Sequence, residues 1–447
     1  MAKKILSQGE KIKYIRKTIG ATQNDLTGNE ITKFDIANLE SGLIALNNES
    51  AKVLCSKLNR IIKEKSLYIK YVTVEYLMED IFTQANRLAN EYLEELKSNF
   101  NVKNSDKFEE IFNEFLLFSS TYYVSSTIKF SGMIMAIDYY YKFNSLDKCV
   151  RYLLQCSNIV AKTNNYVQQI SVYKRFSRVY FKQGRYEDVI QVAQYSIEIA
   201  IRYDIDTGDN KDVKSVRYNM ALSYKKLNNL DKCIEVLNCL MDKYSFNTKD
   251  ECDMKSLKAN CLQLKKQYEE AVKLRYEVIL KALENEDKYM LFREYANMAD
   301  IYVDMGEFQK GSEYIAKCFE NNDVKPGYKL DVYMSAIELN FKQNKDYSDF
   351  ELLFLEAIRL AEDDKKTPQL LKLYKGMLNY LVSNNMDSRI ESILQSIEGK
   401  VRMGTIDDPL ICNTYILGLE YLCDIHMLSG LEALKRGSNL IKCFENS

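Results

Sequence analysis

Only three Pro, 16 Gly and one His occur in 447 residues, and Trp is absent. So few turn-forming residues leave little room for β-turns, and helix-compatible residues fill the remainder, which predicts an almost all-α protein. The lone His426 and eleven singly scattered Cys, with no Cys-x-x-Cys pair, argue against a zinc site and a disulfide framework. An odd number of isolated Cys at helix core positions suits a reducing cytosol. No apolar run reaches the roughly 18 residues of a membrane span. The opening Met-Ala-Lys-Lys has no signal-peptide stretch, so a cytoplasmic protein with no membrane partner is expected. There is no Gly-rich phosphate loop and no Cys/His cluster, which leaves no catalytic set. The expectation is a non-enzyme without cofactor or metal.

What is present is unevenly charged. Residues 1–66 carry 12 Lys/Arg against 7 Asp/Glu, and the remainder carries 50 against 56. A basic head on an acidic body fits a head that meets nucleic acid. In 9–20, Ile12, Ile15 and Ile19 share one helical face and Gly20 stops the helix. Thr22–Asp25 has capping-box character and opens a short second helix carrying Leu26, followed by a Gly28-Asn29 turn. Thr32–Asp35 repeats the pattern ahead of a third helix, with Ile36 and Leu39 inward and Gly42 closing it. A fourth helix, about 49–63, offers Val53, Leu54, Leu58 and Ile61.

The run Ile-Arg-x-x-x-Gly-Ala-Thr-Gln-x-x-Leu, then Ile-Thr-Lys-Phe-Asp-Ile-Ala-Asn-Leu-Glu-Ser-Gly, resembles the XRE (Cro/repressor-type) helix-turn-helix family over about residues 8–62. Arg16, Gln23, Leu26, Ile36, Leu39, Glu40 and Gly42 carry the match. The resemblance implies that Thr32, Lys33 and Phe34, with Asn38 one turn on, face base edges in the major groove. Lys33 would donate to guanine, Asn38 would read adenine and Phe34 would pack on a thymine methyl. Gln23 matches the residue that anchors a phosphate. Asp35 fits a capping role better than base reading, and Arg16 and Glu40 match an internal ion pair.

Residues 62–130 are amphipathic without a clear repeat, and Leu67 through Phe82 reads as a linker helix. From about 135 a unit recurs: apolar helix, polar or Gly turn, large residue, second helix. The residues after the turn are Leu146, Tyr186, Leu230, Tyr268, Phe308, Tyr347 and Met386, spaced 40, 44, 38, 40, 39 and 39 apart. Such a period predicts stacked helical hairpins. Their Tyr-x-x-x-Gly-x-Tyr segments resemble tetratricopeptide repeats, which implies a right-handed superhelical solenoid with the first helices lining a concave groove. The residue eleven before each landmark then faces inward: Met135, Arg175, Asn219, Leu257, Asn297, Ala336 and Lys375. Arg178, Asn260 and Asp300 lie three further on. Asn amides suit a peptide backbone, and cations suit a terminal carboxylate. Arg175, Arg178, Asn219, Asn260 and Asn297 are the candidate peptide-binding residues. A capping helical pair is expected after about 407.

Head and body together resemble the RRNPP family of quorum-sensing receptors. The implied organisation is a helix-turn-helix domain over 1–66, linker and first helices over 67–130, and repeats with C-terminal caps over 131–447. The implied activity is peptide-controlled DNA binding by a cytoplasmic homodimer on a palindromic double-stranded operator. The alternative is a protein-binding scaffold that sequesters a partner regulator.

Overall fold

In the computed structural model, side-chain caps open the N-terminal helices where the sequence marks them. Ser7 and Glu10 form a reciprocal capping box at the start of α1 (Gln8–Thr18). Thr32 and Asp35 do the same for α2 (Lys33–Ser41), which ends at Gly42 with φ +76°. Asn47 caps α3 (Asn48–Glu64). Ile12, Ile15, Ile19, Leu26, Ile36, Leu39, Leu54, Leu58 and Ile61 are buried in one apolar cluster, with Val53 packed against it. The structure describes residues 3–103, 106–207, 210–320, 324, 326–343, 350–363, 367–406 and 408–445. Among these there is no β-strand, only an isolated bridge between Gly28 and Ile31.

Two expected helices differ. The second is a single 3-10 turn, Asn24–Leu26, although the Thr22–Asp25 hydrogen bonds form. Thr27, already extended, and the Gly28–Ile31 bridge stop it from propagating. The expected linker helix is non-helical from Leu67 to Thr73 and then makes only α4 (Val74–Met78). Asn59 on α3 satisfies the Val72 backbone from both sides, at 2.7 Å to its N–H and 2.8 Å to its carbonyl. Side chains thereby supply bonds a helix would have supplied. Val72 and Leu77 join the α1–α3 core.

Contacts divide the chain into two compact units, Met1–Leu227 and Asn228–Ser447. The division falls within the repeats, not behind the N-terminal helices. The first unit continues with α5 (Ile81–Ser98), α6 (Asp106–Thr121), α7 (Ser126–Lys142) and α8 (Leu146–Thr163). It closes with α9 (Tyr166–Lys182), α10 (Tyr186–Arg202) and α11 (Lys211–Lys226). Helices α7/α8 and α9/α10 are packed hairpins, and α11 packs on both α9 and α10. Ile5, upstream of α1, is buried with the α5–α9 core and not with its own helix's cluster.

The second unit begins with α12 (Leu230–Lys243), α13 (Thr248–Leu264), α14 (Tyr268–Glu284), α15 (Lys288–Asp304) and α16 (Phe308–Glu320). It continues with α17 (Pro326–Gln343), α18 (Phe350–Asp363), α19 (Thr367–Ser383) and α20 (Asp387–Arg402). The expected closing pair is α21 (Ile411–Asp424) and α22 (Gly430–Glu445). Hairpins α13/α14, α15/α16, α17/α18, α19/α20 and α21/α22 pack in sequence order. The repeat landmarks open second helices at Leu146, Tyr186, Leu230, Tyr268 and Phe308, and Met386 caps α20. Tyr347 lies outside the described residues. Two residues before those helices, Asn144, Gly184, Asn228, Lys266, Gly306 and Asn385 all have positive φ. This left-handed turn lets each chain reverse after one helix. His426 stands just after α21 in a similar turn, φ +57°. No helix of the described residues is long and apolar enough to cross a membrane.

Candidate functional site

The N-terminal helix α2 is held by a polar cluster beneath it. Arg16 grips Glu40 with two hydrogen bonds, 2.5 Å from Nε and 2.9 Å from Nη2, and donates to the Ala21 carbonyl at 2.9 Å. Gln23 donates from Nε2 to the same carboxylate at 2.9 Å. Burial alone would raise the Glu40 carboxyl. The hydrogen bonds from Arg16 and Gln23 outweigh it and hold the group below its ordinary value. Gln23 therefore has one amide N–H committed internally and a second without a partner among the described residues.

Above this cluster, the sequence-selected residues separate by role. Thr32 donates to Asp35 at 2.6 Å and accepts from its amide at 3.2 Å, so both side chains serve the cap. The Thr32 hydroxyl, followed by its backbone amide, pulls the Asp35 carboxyl below its usual range. Lys33 and Phe34 are exposed, Phe34 by 74%, which excludes a core role for that ring. Neither Lys33 nor the half-buried Asn38 side chain has a hydrogen-bond or ionic partner among the described residues. An unpartnered cation, ring and amide thus share the first turns of one capped helix. Sequence reasoning missed Gly9: a Cβ there would sit 1.9 Å from the Leu39 carbonyl oxygen, so α1 and α2 meet through bare backbone.

In the first unit, Arg175 on α9 is held by Asp138 on α7 at 3.1 and 2.7 Å and donates to Ser171 Oγ at 2.8 Å. That bidentate pair consumes the fork expected to hold a peptide carboxylate. Arg178 is freer, 3.9 Å from Asp138, with its guanidinium 4.3 Å from the Tyr141 ring centre. Asn219 on α11 donates to Ser177 at 2.9 Å and keeps its carbonyl oxygen available.

In the second unit, Asn260 is drawn into a buried network. Arg275 and Glu294 are both 0% exposed and pair at 2.8 Å. Asn260 accepts from Arg275 at 2.6 Å, while Ser256 donates to Glu294 at 2.6 Å. Asn260 is therefore mainly a partner of a buried charge. Asn297 is half-buried and makes no side-chain hydrogen bond among the described residues. Leu257 and Ala336, expected to face inward, are core residues. The Arg275 network had a signal: residues 271, 275, 278 and 282 form one helical face that is otherwise apolar.

A tetratricopeptide-repeat family model matches residues 295–323, which take in the later part of α15 and all of α16. No curated protein matches the chain in sequence. The apo form of the quorum sensor NprR from B. thuringiensis is 16% identical, with a TM-score of 0.50 over 81% of this chain and 99% of that one. The apo form of RapI is 12% identical, with a TM-score of 0.51 over 76% and 99%. The chain has the repeat fold of these two proteins, the first of which is a quorum sensor.

Proposed function

We propose that this chain is a sequence-specific DNA-binding transcription regulator of the RRNPP type, controlled by a short linear signalling peptide. The observation that carries the reading is the free Lys33, Phe34 and Asn38 face at the start of α2, in a chain that shares its repeat fold with a quorum sensor. Helix α2 enters the major groove N-terminus first, Lys33 and Asn38 donate to base edges, and the α2 and Gln23 amides meet phosphate. A homodimer presents two such helices to a palindromic operator. The peptide engages the first helices of the repeats, with Arg178 and Asn219 as donor and acceptor in the first unit. It acts by preferring one conformation, so its differential affinity sets the response.

The test is selection of the full chain against random duplex DNA, with and without pooled linear peptides. Enrichment of a two-fold symmetric site is expected. Lys33→Ala and Asn38→Ala should each lose about 1–3 kcal/mol at individual base positions. Equal loss on every sequence would reduce them to phosphate contacts. No enriched site under any peptide condition would replace this reading with the scaffold one.

A further inference from the structure

A groove of about 470 Å³ lies between first helices α17 and α19 of the second unit. That volume is at the small end of ligand sites, enough for a terminal residue and its neighbour but not a whole peptide. Its apolar part is built by Ile337, Phe354, Leu373 and the 43%-exposed Phe341. Gly376 opens it: a Cβ at that position would crowd the Phe354 ring at 3.2 Å.

Unpaired cations sit on one wall. Lys372, Lys375 and Asn379 line the groove at helical spacings of three and four, so they share a face of α19. All three are exposed, and neither lysine has an ionic partner among the described residues. Two unpaired cations one turn apart repel each other until an anion neutralises them. The opposite wall carries Glu338, already paired with Lys342 at 3.1 Å. The uncompensated charge of the groove is therefore the positive charge on α19, and an incoming carboxylate is drawn there.

The geometry points to a subsite for the C-terminal residue of a linear peptide, one with an apolar side chain and a free carboxylate. Only a C-terminal residue carries an apolar side chain, an amide N–H and a carboxylate on one carbon. Those are the groups that the aromatic floor, the Asn379 carbonyl and the two lysines match. The inference rests on the peptide-receptor reading above and adds which end of the peptide is recognised.

The full chain is screened by affinity-selection mass spectrometry against random seven-residue peptides ending in Leu, Phe, Gly or Asp, each as free acid and as amide. Leu- and Phe-ending free acids are expected to bind, and amidation should weaken them about ten-fold, the scale of one lost charge-assisted contact. Lys372→Gln/Lys375→Gln should erase the acid-over-amide preference while keeping the preference for Leu and Phe, with unchanged helical circular dichroism as the folding control. Equal binding of acid and amide by the parent chain, or an undiminished preference in the double variant, overturns this subsite while the peptide reading stands. Binding of no peptide in any form overturns both.

Discussion

The Lys11 ammonium, fully buried on α1, lies 3.3 Å from the Glu79 carboxylate and 3.0 Å from the carbonyls of Tyr76 and Glu79. It caps the C-terminal end of α4, and Glu79 in turn binds Arg87 on α5 at 2.9 Å. Burial lowers the Lys11 pKa against the opposing pull of Glu79. Nearby, Leu6 exchanges two hydrogen bonds with Gln84, at 2.7 and 3.0 Å, and the Lys3 amide donates to Tyr92 at 3.0 Å. The residues ahead of α1 therefore fasten the N-terminal helices to α5 independently of the connecting segment.

Lys11→Met should cost about 3 kcal/mol, because it keeps the packing but leaves two carbonyls and a carboxylate edge without their donor. Thermal unfolding with hydrogen exchange on α1 and α4 amides measures it. Unchanged protection of both helices would mean that the ammonium is only tolerated there.

Gly9→Ala should destabilise the N-terminal bundle by about 2–3 kcal/mol, since its Cβ and the Leu39 carbonyl cannot both keep their places. Early melting of α1 and α2 is the expected readout, with loss of the DNA binding proposed above. A melting curve matching the parent would show that α1 can move aside freely.

Glu294→Leu alone should cost about 3–5 kcal/mol by stranding the Arg275 charge in the core, whereas Arg275→Leu/Glu294→Leu should recover a large part of that loss. A double-mutant cycle by denaturant unfolding decides it. Additive single losses would show that the two side chains do not act as a pair.

Acid should weaken the N-terminal bundle. The folded Glu40 value lies below its ordinary 4.5, so the ion pair with Arg16 is fully stabilising above that pH. Its contribution disappears as pH falls through the lowered folded value. Asp25, held by the Thr22 amide and hydroxyl, and Asp35 shift in the same direction. Glu40→Gln should lower bundle stability at neutral pH and flatten its decline on acidification. Parallel acid-unfolding curves for parent and variant would remove Glu40 from this linkage.

Much of the architecture is legible in local pattern because its causes are local. A capping box needs four residues, as at Thr32–Asp35, and a hairpin landmark needs one helical turn and one left-handed residue, as at Gly184 and Tyr186. The positions of Lys33, Phe34 and Asn38 follow from the same short-range geometry. Pattern failed where a distant group competed for the backbone. Asn59 and Val72 are 13 residues apart, and their bonds hold as a non-helical segment what periodicity alone would make helical. It failed likewise for polar side chains whose partners sit on other helices. Arg175 and Asn260 look like free ligands along their own helices, but Asp138 and Arg275 claim them from neighbouring ones. Composition and period suffice for an all-α repeat chain, since each helix is specified by contacts within itself and its hairpin. Which cations stay free, which charges are buried and how the first residues clasp α5 depend on hydrogen bonds between groups up to 89 residues apart. Such partners meet only once the helices have packed.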